Sequence, residues 1–345
     1  MHYKSETAHI SRRRSSVVVG AAAALLLLLT ACSGGAEPGA GAGNEATSSG
    51  EPVTIRIATS VDEFYGYIAV EANEALGTWK DSGLNVEVIS ATTPTLGQIL
   101  AGGQADIGLG TPGTEAAARA QGVQQTIVAS CLTPWDYVVI VSNKGKFPGA
   151  KELADLKGAN FGITGKGSPG NYLLHKWADK LGWGAGDIHE SALGNVAALF
   201  AALDSGQVDA VLWASDKGFV TEGSGTGTFF TLPKIEESVL QSFSVMDDFA
   251  AKNPEAVKTF FEYYFKEVKE LQANPQEFID ILVNNWGYDP DVASKLAERS
   301  LPLLSTDGKI TQEELDGVQQ SIPFLTGKPG TTPPDIAYTY WKDLK

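Results

Sequence analysis

From residue 53 onward, short β-branched runs alternate with amphipathic stretches. Residues 53–58 (VTIRIA) show the period-two pattern of a strand, and residues 66–79 place Ile68, Ala72, Ala75, Leu76 and Trp79 on one helical face. The pattern then predicts a strand at 84–89, a short helix at 95–101 ended by Gly102-Gly103, and a strand at 105–109. Thr111 stands where it would cap the next helix, with Pro112 at the first helical position. Apolar strands follow at 126–131 and 137–141. A second set begins near residue 144, with helices at 153–156, 169–181 and 195–204 and strands at 159–163, 188–190, 208–213 and 228–232. Residues 243–246 predict a returning strand. This β-α order implies mostly parallel sheets with helices on both faces. Beyond residue 247 the pattern is helix after helix, with Asn253-Pro254 and Asn274-Pro275 each opening one. Phe260, Phe261, Tyr263, Tyr264 and Phe265 fall at helical spacing and read as core with one Tyr reaching the surface, not as a base-stacking surface.

The N-terminus follows different rules. Arg12, Arg13 and Arg14 precede an apolar run at 17–29, followed by Thr30, Ala31 and Cys32. A membrane-spanning helix needs about 20 apolar residues, so this shorter run with its basic flank reads as an export signal. Residues 33–50 hold no apolar side chain larger than Ala or Pro and read as a tether averaging about 20–25 Å end to end. The 345 residues carry a formal net charge of −15. Removing residues 1–31 takes away four basic residues and Glu6, which moves the mature chain to −18. That acidity excludes a nucleic-acid partner. With only Cys32 and Cys131 present, a disulfide scaffold and a zinc module are excluded too. Cys131 lies in an apolar strand and reads as a buried thiol.

Three motifs bear on chemistry. Residues 165–170 (GKGSPG) match GxGxxG after a strand and before a helix, with Asp187 and Glu190 near the distance of a ribose-binding acid. The export signal argues against a dinucleotide occupant, and two readings remain side by side. In one, the helix end and Lys166 form an anion site; in the other, the segment is a glycine-rich turn capped by Ser168. Residues 303–314 imitate a calcium loop, but its first position is Leu303 and its third is Ser305. Thr311 and Glu314 also form a helix-capping box. The mature chain has two histidines, His175 and His189, and neither HExxH nor Gly-x-Ser-x-Gly, so hydrolytic and metal chemistry lack a motif.

Leu29-Thr30-Ala31-Cys32 resembles a bacterial lipobox, which implies cleavage before Cys32 and a lipid anchor on its sulfur. Behind it, several segments in order resemble the solute-binding proteins of ABC importers, in the nitrate/sulfonate/taurine/thiamine-precursor superfamily. They are residues 68–88, the Gly-x-x-Asp-Ile segment at 103–107, residues 156–168, the Gly-x-Val-Asp-Ala segment at 206–210, and residues 253–257. At residues 62–67 the chain departs from the family, which often has a proline-containing loop there.

The resemblance implies an α/β fold of periplasmic-binding-protein type II, with two lobes, a ligand cleft and hinge crossovers near 138–141 and 232–245. The expected organisation is a signal peptide at 1–31, a tether at 32–51, one lobe from 52–140 and 236–345, and a second from 141–235. Open α/β sheets bind ligands at the carboxyl ends of their strands. The expected ligand-binding residues are therefore Ser60, Asp62, Phe64, Tyr65, Gly110, Thr111, Trp135, Lys166, Ser168, Gly170, Asn171, Asn195, Trp213 and Asp216. Trp213 reads equally as strand core. The expected function is capture of a small organic solute, anionic by the Lys166 reading, without catalysis or cofactor. A monomer, lipid-anchored on the outer face of the plasma membrane or in the periplasm, would then deliver the solute to permease subunits. The alternative is an enzymatic or signalling lipoprotein on the same fold.

Overall fold

The structure is a computed structural model that describes residues 51–345 except 60–63, 92, 185, 234–238 and 329. The leader, Cys32, the tether, Ser60 and Asp62 lie outside the described residues.

In chain order the first elements are β1 (Val53–Thr59), α1 (Phe64–Leu76), α2 (Trp79–Ser82), β2 (Leu84–Ser90), α3 (Thr93–Ala101), β3 (Ile107–Gly110), α4 (Pro112–Ala120) and β4 (Gln125–Leu132). Next come β5 (Tyr137–Ser142), β6 (Asn160–Ile163), α5 (Pro169–Lys180), β7 (His189–Ala192), α6 (Val196–Ser205), β8 (Ala210–Ala214), α7 (Ser215–Gly223) and β9 (Gly227–Thr231). The chain ends with β10 (Gln241–Met246), α8 (Asp247–Lys252), α9 (Pro254–Ala273), α10 (Pro275–Trp286), α11 (Pro290–Arg299) and α12 (Gln312–Leu325).

The strands form two sheets, ordered β2-β1-β3-β10-β4 and β7-β6-β8-β5-β9. Strands joined through helices pair in parallel: β1 with β2 and β3, and β6 with β7 and β8. The exceptions are β10, antiparallel to β3 and β4, and β5, antiparallel to β8 and β9. Each of these two strands follows a strand of the other sheet in chain order, so neither is produced by a crossover within its own sheet. The placement of β5 corrects an expectation. Residues 138–141 are not a crossover but a strand of the second sheet, pairing Val138 with Trp213 and Thr231. The chain passes from the first sheet to the second at residues 133–136 and returns between β9 and β10.

The two motif aspartates have matching structural work. Asp106 accepts from the Arg56 amide at 2.9 Å and takes a two-pronged bond from its guanidinium, Nη2–Oδ1 2.7 Å and Nε–Oδ2 2.9 Å. Asp209 accepts from the amides of Lys146 and Asn160, at 2.7 and 2.8 Å. Each carboxylate thus precedes a central strand and holds the backbone of the strand beside it.

The aromatic run predicted as core is core. On α9, Phe260, Phe261, Tyr264 and Phe265 are buried against the first sheet, and Tyr264 meets Phe243 edge-on with centroids 4.9 Å apart. The Tyr264 hydroxyl donates to the Gly66 carbonyl at 2.9 Å, and Tyr263 is the half-buried member. The second sheet has a core on each face, one around Val139, Phe161 and Leu174 and one around Ile140, Leu203 and Val211. Cys131 is buried in β4, where desolvation raises its thiol well above the ordinary range, as expected of an inert core thiol.

Candidate functional site

Segments that follow β1 in the first sheet and β6 and β8 in the second meet the passage at 133–136. Tyr65, which follows β1, donates to Asp136 Oδ2 at 3.4 Å. Ser215, which follows β8, donates its hydroxyl to the same oxygen at 2.5 Å and its amide to the Asp136 carbonyl at 3.0 Å. The Ser300 hydroxyl adds a bond at 2.8 Å, and Arg299 Nε donates to Asp136 Oδ1 at 2.8 Å while its Nη1 reaches Thr231 at 3.1 Å. Asp136 is 3% exposed. A buried carboxylate with this many donors is the joint between the sheets.

Aromatic rings line up beside the joint. Trp135 packs on Tyr137 (5.6 Å between centroids) and Tyr172 (6.0 Å), and Trp213 packs on Tyr137 (6.3 Å) and edge-on to Phe200 (6.0 Å). Among polar atoms buried there, Thr133 Oγ1, Trp135 Nε1 and Asp216 Oδ1 have no hydrogen-bond partner. Buried polar atoms are normally satisfied, so such a cluster beside a row of aromatic rings has the makeup of a ligand site. Burial raises the Asp216 carboxyl above its usual range, opposed by Lys217 and by the Tyr288 hydroxyl at 2.8 Å. Tyr65 is pushed well up by burial and then by Asp216 and Asp136.

The other expected site residues divide. Phe64 opens α1, and its side chain lies outside the described residues. Gly110 ends β3, where an added Cβ would stand 2.6 Å from Leu96 Cδ2. Thr111 does not cap α4 with its side chain; its hydroxyl pairs with that of Thr114 at 2.8 Å. Lys166 is exposed. Ser168 does cap α5, accepting from the Asn171 amide at 3.4 Å. Asn171 is buried and bound on both sides: its Oδ1 accepts from the Gly167 amide at 3.0 Å and its Nδ2 donates to Glu190. The amides of Gly167 and Asn171, expected to face an anion, are thus taken by side chains of the same turn. Gly170 lies where an added Cβ would be 2.5 Å from the Leu212 carbonyl, so it is required for packing on β8. The acids of the dinucleotide reading are committed as well. Glu190 bonds His175 at 2.7 Å, and Asp187 accepts from Gly184 and pairs with Lys157 at 3.2 Å. Asn195 caps α6, its Oδ1 accepting from the Ala198 amide at 2.9 Å. Replacing Asn195 by alanine is therefore expected to cost about 1 kcal/mol of stability, read as a lower urea midpoint.

Strand-end logic reached Tyr65, Trp135 and Asp216, the neighbours of this joint, but not Arg299, Ser300 and Tyr288, which arrive from the C-terminal part of the chain. The calcium imitation at 303–314 resolves into local bonds: Asp307 Oδ1 accepts from the Lys309 amide at 2.9 Å, and Thr311 and Glu314 form the expected capping box of α12. Among the described residues no three His, Cys, Asp or Glu side chains gather as a metal site. No described helix is long and apolar enough to cross a membrane.

The fold agrees with what the chain is similar to. A Brucella abortus protein provisionally named as a binding protein, BAB2_1146, is 24% identical over 274 residues, covering 75% of this chain and 82% of that one. The alkanesulfonate-binding protein SsuA of Xanthomonas axonopodis pv. citri, solved with MOPS bound, superposes with a TM-score of 0.69 at 18% identity, covering 84% of this chain and 97% of that one. The ligand-binding component of an ABC-type import system of Staphylococcus aureus gives 0.66 at 16% identity, covering 85% and 99%. These likenesses establish the periplasmic-binding-protein fold. The NMT1/THI5-like family profile matches residues 66–278, more than half of the chain, and the protein belongs to that family.

Proposed function

We propose that this chain is the extracytoplasmic solute-binding component of an ABC importer, and that it captures a small organic solute in the crevice between its two sheets. The observation that carries this is the convergence of strand ends on residues 133–136, from β1 through Tyr65 and from β8 through Ser215. A ligand touching both walls stabilises the closed form by its differential affinity for that form, and a closed pair of walls is a surface a permease can recognise. Trp135, Tyr172 and Trp213 supply apolar area for the body of the solute, and Thr133, Trp135 and Asp216 supply buried polar atoms for its head. Nothing in this arrangement calls for bond-breaking chemistry; the role is capture by a monomer.

The polarity of the solute is open to measurement. With the Gly167 and Asn171 amides taken by side chains of their own turn, the anion site loses two of its donors, and Asp136 and Asp216 are buried acids. Sulfonates, nitrate, carboxylates and pyrimidines are the probes for a thermal-shift screen. A solute at 100 times its Kd adds about 2.7 kcal/mol of stability. The expected result is a shift with one class that Trp135→Ala abolishes. No shift with any probe, together with capture of a macromolecule, would overturn solute capture in favour of a signalling role. We further infer that Cys32 is lipidated after cleavage and holds the protein at the outer face of the membrane. Labelled palmitate should enter the wild-type chain but not Cys32→Ala, which should be released from the membrane fraction.

A further inference from the structure

One element outside the predicted site touches both walls of the crevice. The helix α12 belongs to the first sheet by its packing: Val318 is buried with Ile127 of β4, Val239 and Ile310. The chain beyond it is tied to β4 as well, since the Ile127 amide donates to the Ala337 carbonyl and the Thr339 amide to the Ile127 carbonyl, both at 3.0 Å. Its last turn then reaches across. Leu325 lies against Gly113, in the first turn of α4, where an added Cβ would overlap its Cδ1. The Leu325 carbonyl lies against Gly167, in the loop after β6 in the second sheet, where an added Cβ would be 2.6 Å away. Phe324 packs on Tyr172 and His175 of α5, with centroids 5.6 and 5.2 Å apart. Since Tyr172 also packs on Trp135, Phe324 extends the aromatic row of the candidate site.

We propose that the Phe324–Leu325 turn is a latch on the solute crevice, clamping the first turn of α4 to the loop after β6. Its seat decides how it opens. Val318 and the 337–339 pairing hold α12 to the first sheet, so the contacts that break are those with Gly167, Tyr172 and His175. Gly167 fits this role: at φ +79° and with no Cβ it lets a foreign backbone carbonyl approach where any other residue would push it off. The proposal rests on the solute-capture reading for its purpose, but its mechanics are testable without any solute.

The test is hydrogen exchange by mass spectrometry on the full chain, comparing wild type, Phe324→Ala/Leu325→Ala and Gly167→Ala. The double variant removes the latch from the first-sheet side, and Gly167→Ala pushes it off from the second. Both should speed exchange in residues 165–174 about tenfold, while β4 and the body of α12 keep wild-type protection. Unchanged exchange at 165–174 in both variants overturns the latch. So does loss of protection spreading through β4 and α12, which would make the turn a structural prop. Screening the same proteins against the solute panel separates the two failures. If the wild type binds a solute and the variants show unchanged exchange, there is no latch; if the variants unlatch and the wild type binds no solute, the capture reading fails instead.

Discussion

Asp136→Ala should lower the stability of the protein by about 3–5 kcal/mol, seen as a shift of the urea midpoint with little change in slope. The carboxylate is almost fully buried and accepts from Arg299, Ser215, Ser300 and Tyr65. Removing it takes the carboxylate from the Arg299 guanidinium, which keeps Thr231, and an acceptor from three buried hydroxyls, of which Ser215 and Ser300 remain 3.3 Å from each other. The Arg299 side chain is 27% exposed, so water recovers part of its charge and the serines carry more of the loss. Asp136→Asn keeps the shape and one acceptor oxygen and should cost clearly less. A loss for Asp136→Ala within about 1 kcal/mol would mean that the joint relaxes to recruit water, and that the sheets are held together elsewhere. Because the four donors come from α1, α7 and the end of α11, the same substitution should also loosen the crevice walls. Any solute that stabilises the wild type should then bind more weakly.

The joint marks the limit of what the sequence makes legible. Strands and helices were readable where alternation, a proline at the first helical turn or a glycine stop announced them. The elements α5, α9, α10 and the capping box of α12 begin where those signals stand. The sheet to which β5 belongs was not readable, because YVVIV is an apolar run on any central strand and carries no mark of its neighbours. Residues 215–223 gave no helical signal, since SDKGFVTEG holds two glycines and no continuous apolar stripe; α7 is held in place by β5 and β9, against which Gly218 packs. Strand-end logic led to the right loops but misjudged what fills them. Ser168, Asn171 and Asn195 are polar residues at helix starts, and their side chains serve the turns they occupy. The partners of Asp136 lie as far as 164 residues away, so no local pattern could name them. Two glycines of the GxGxxG match, Gly167 and Gly170, are required, but by close approach to the Leu325 and Leu212 carbonyls, not by a pyrophosphate, while an added Cβ at Gly165 would meet open space.

Glu115→Gln should remove much of the pH dependence of stability between the ordinary carboxylate value of 4.5 and about pH 8. Glu115 sits in the first turn of α4, 3% exposed, with Oε2 accepting from Ser242 and Oε1 buried without a partner. Burial pushes its carboxyl up to about 8, against a smaller opposing pull from Ser242 and Ser244. The sign follows from where the proton is held. Above the ordinary carboxylate value of 4.5 the unfolded chain releases its proton, while the folded chain keeps it until about pH 8. The native state therefore binds more protons across that window, and stability falls as pH rises through it, by up to about 1.4 kcal/mol per pH unit. The whole effect is on the order of 5 kcal/mol, complete above pH 8 and absent below 4.5. Glutamine cannot ionise, so Glu115→Gln should be more stable than wild type at pH 8 and should lose most of that advantage near pH 5. Glu267 on α9, raised to about 7 chiefly by burial, has the same sign and will leave a residual slope. Urea midpoints at pH 5 and 8 for wild type and the two single Gln variants decide the matter. Parallel pH profiles for wild type and Glu115→Gln would show that Glu115 is already ionised in the native state, with its charge met by groups that rearrange around α4.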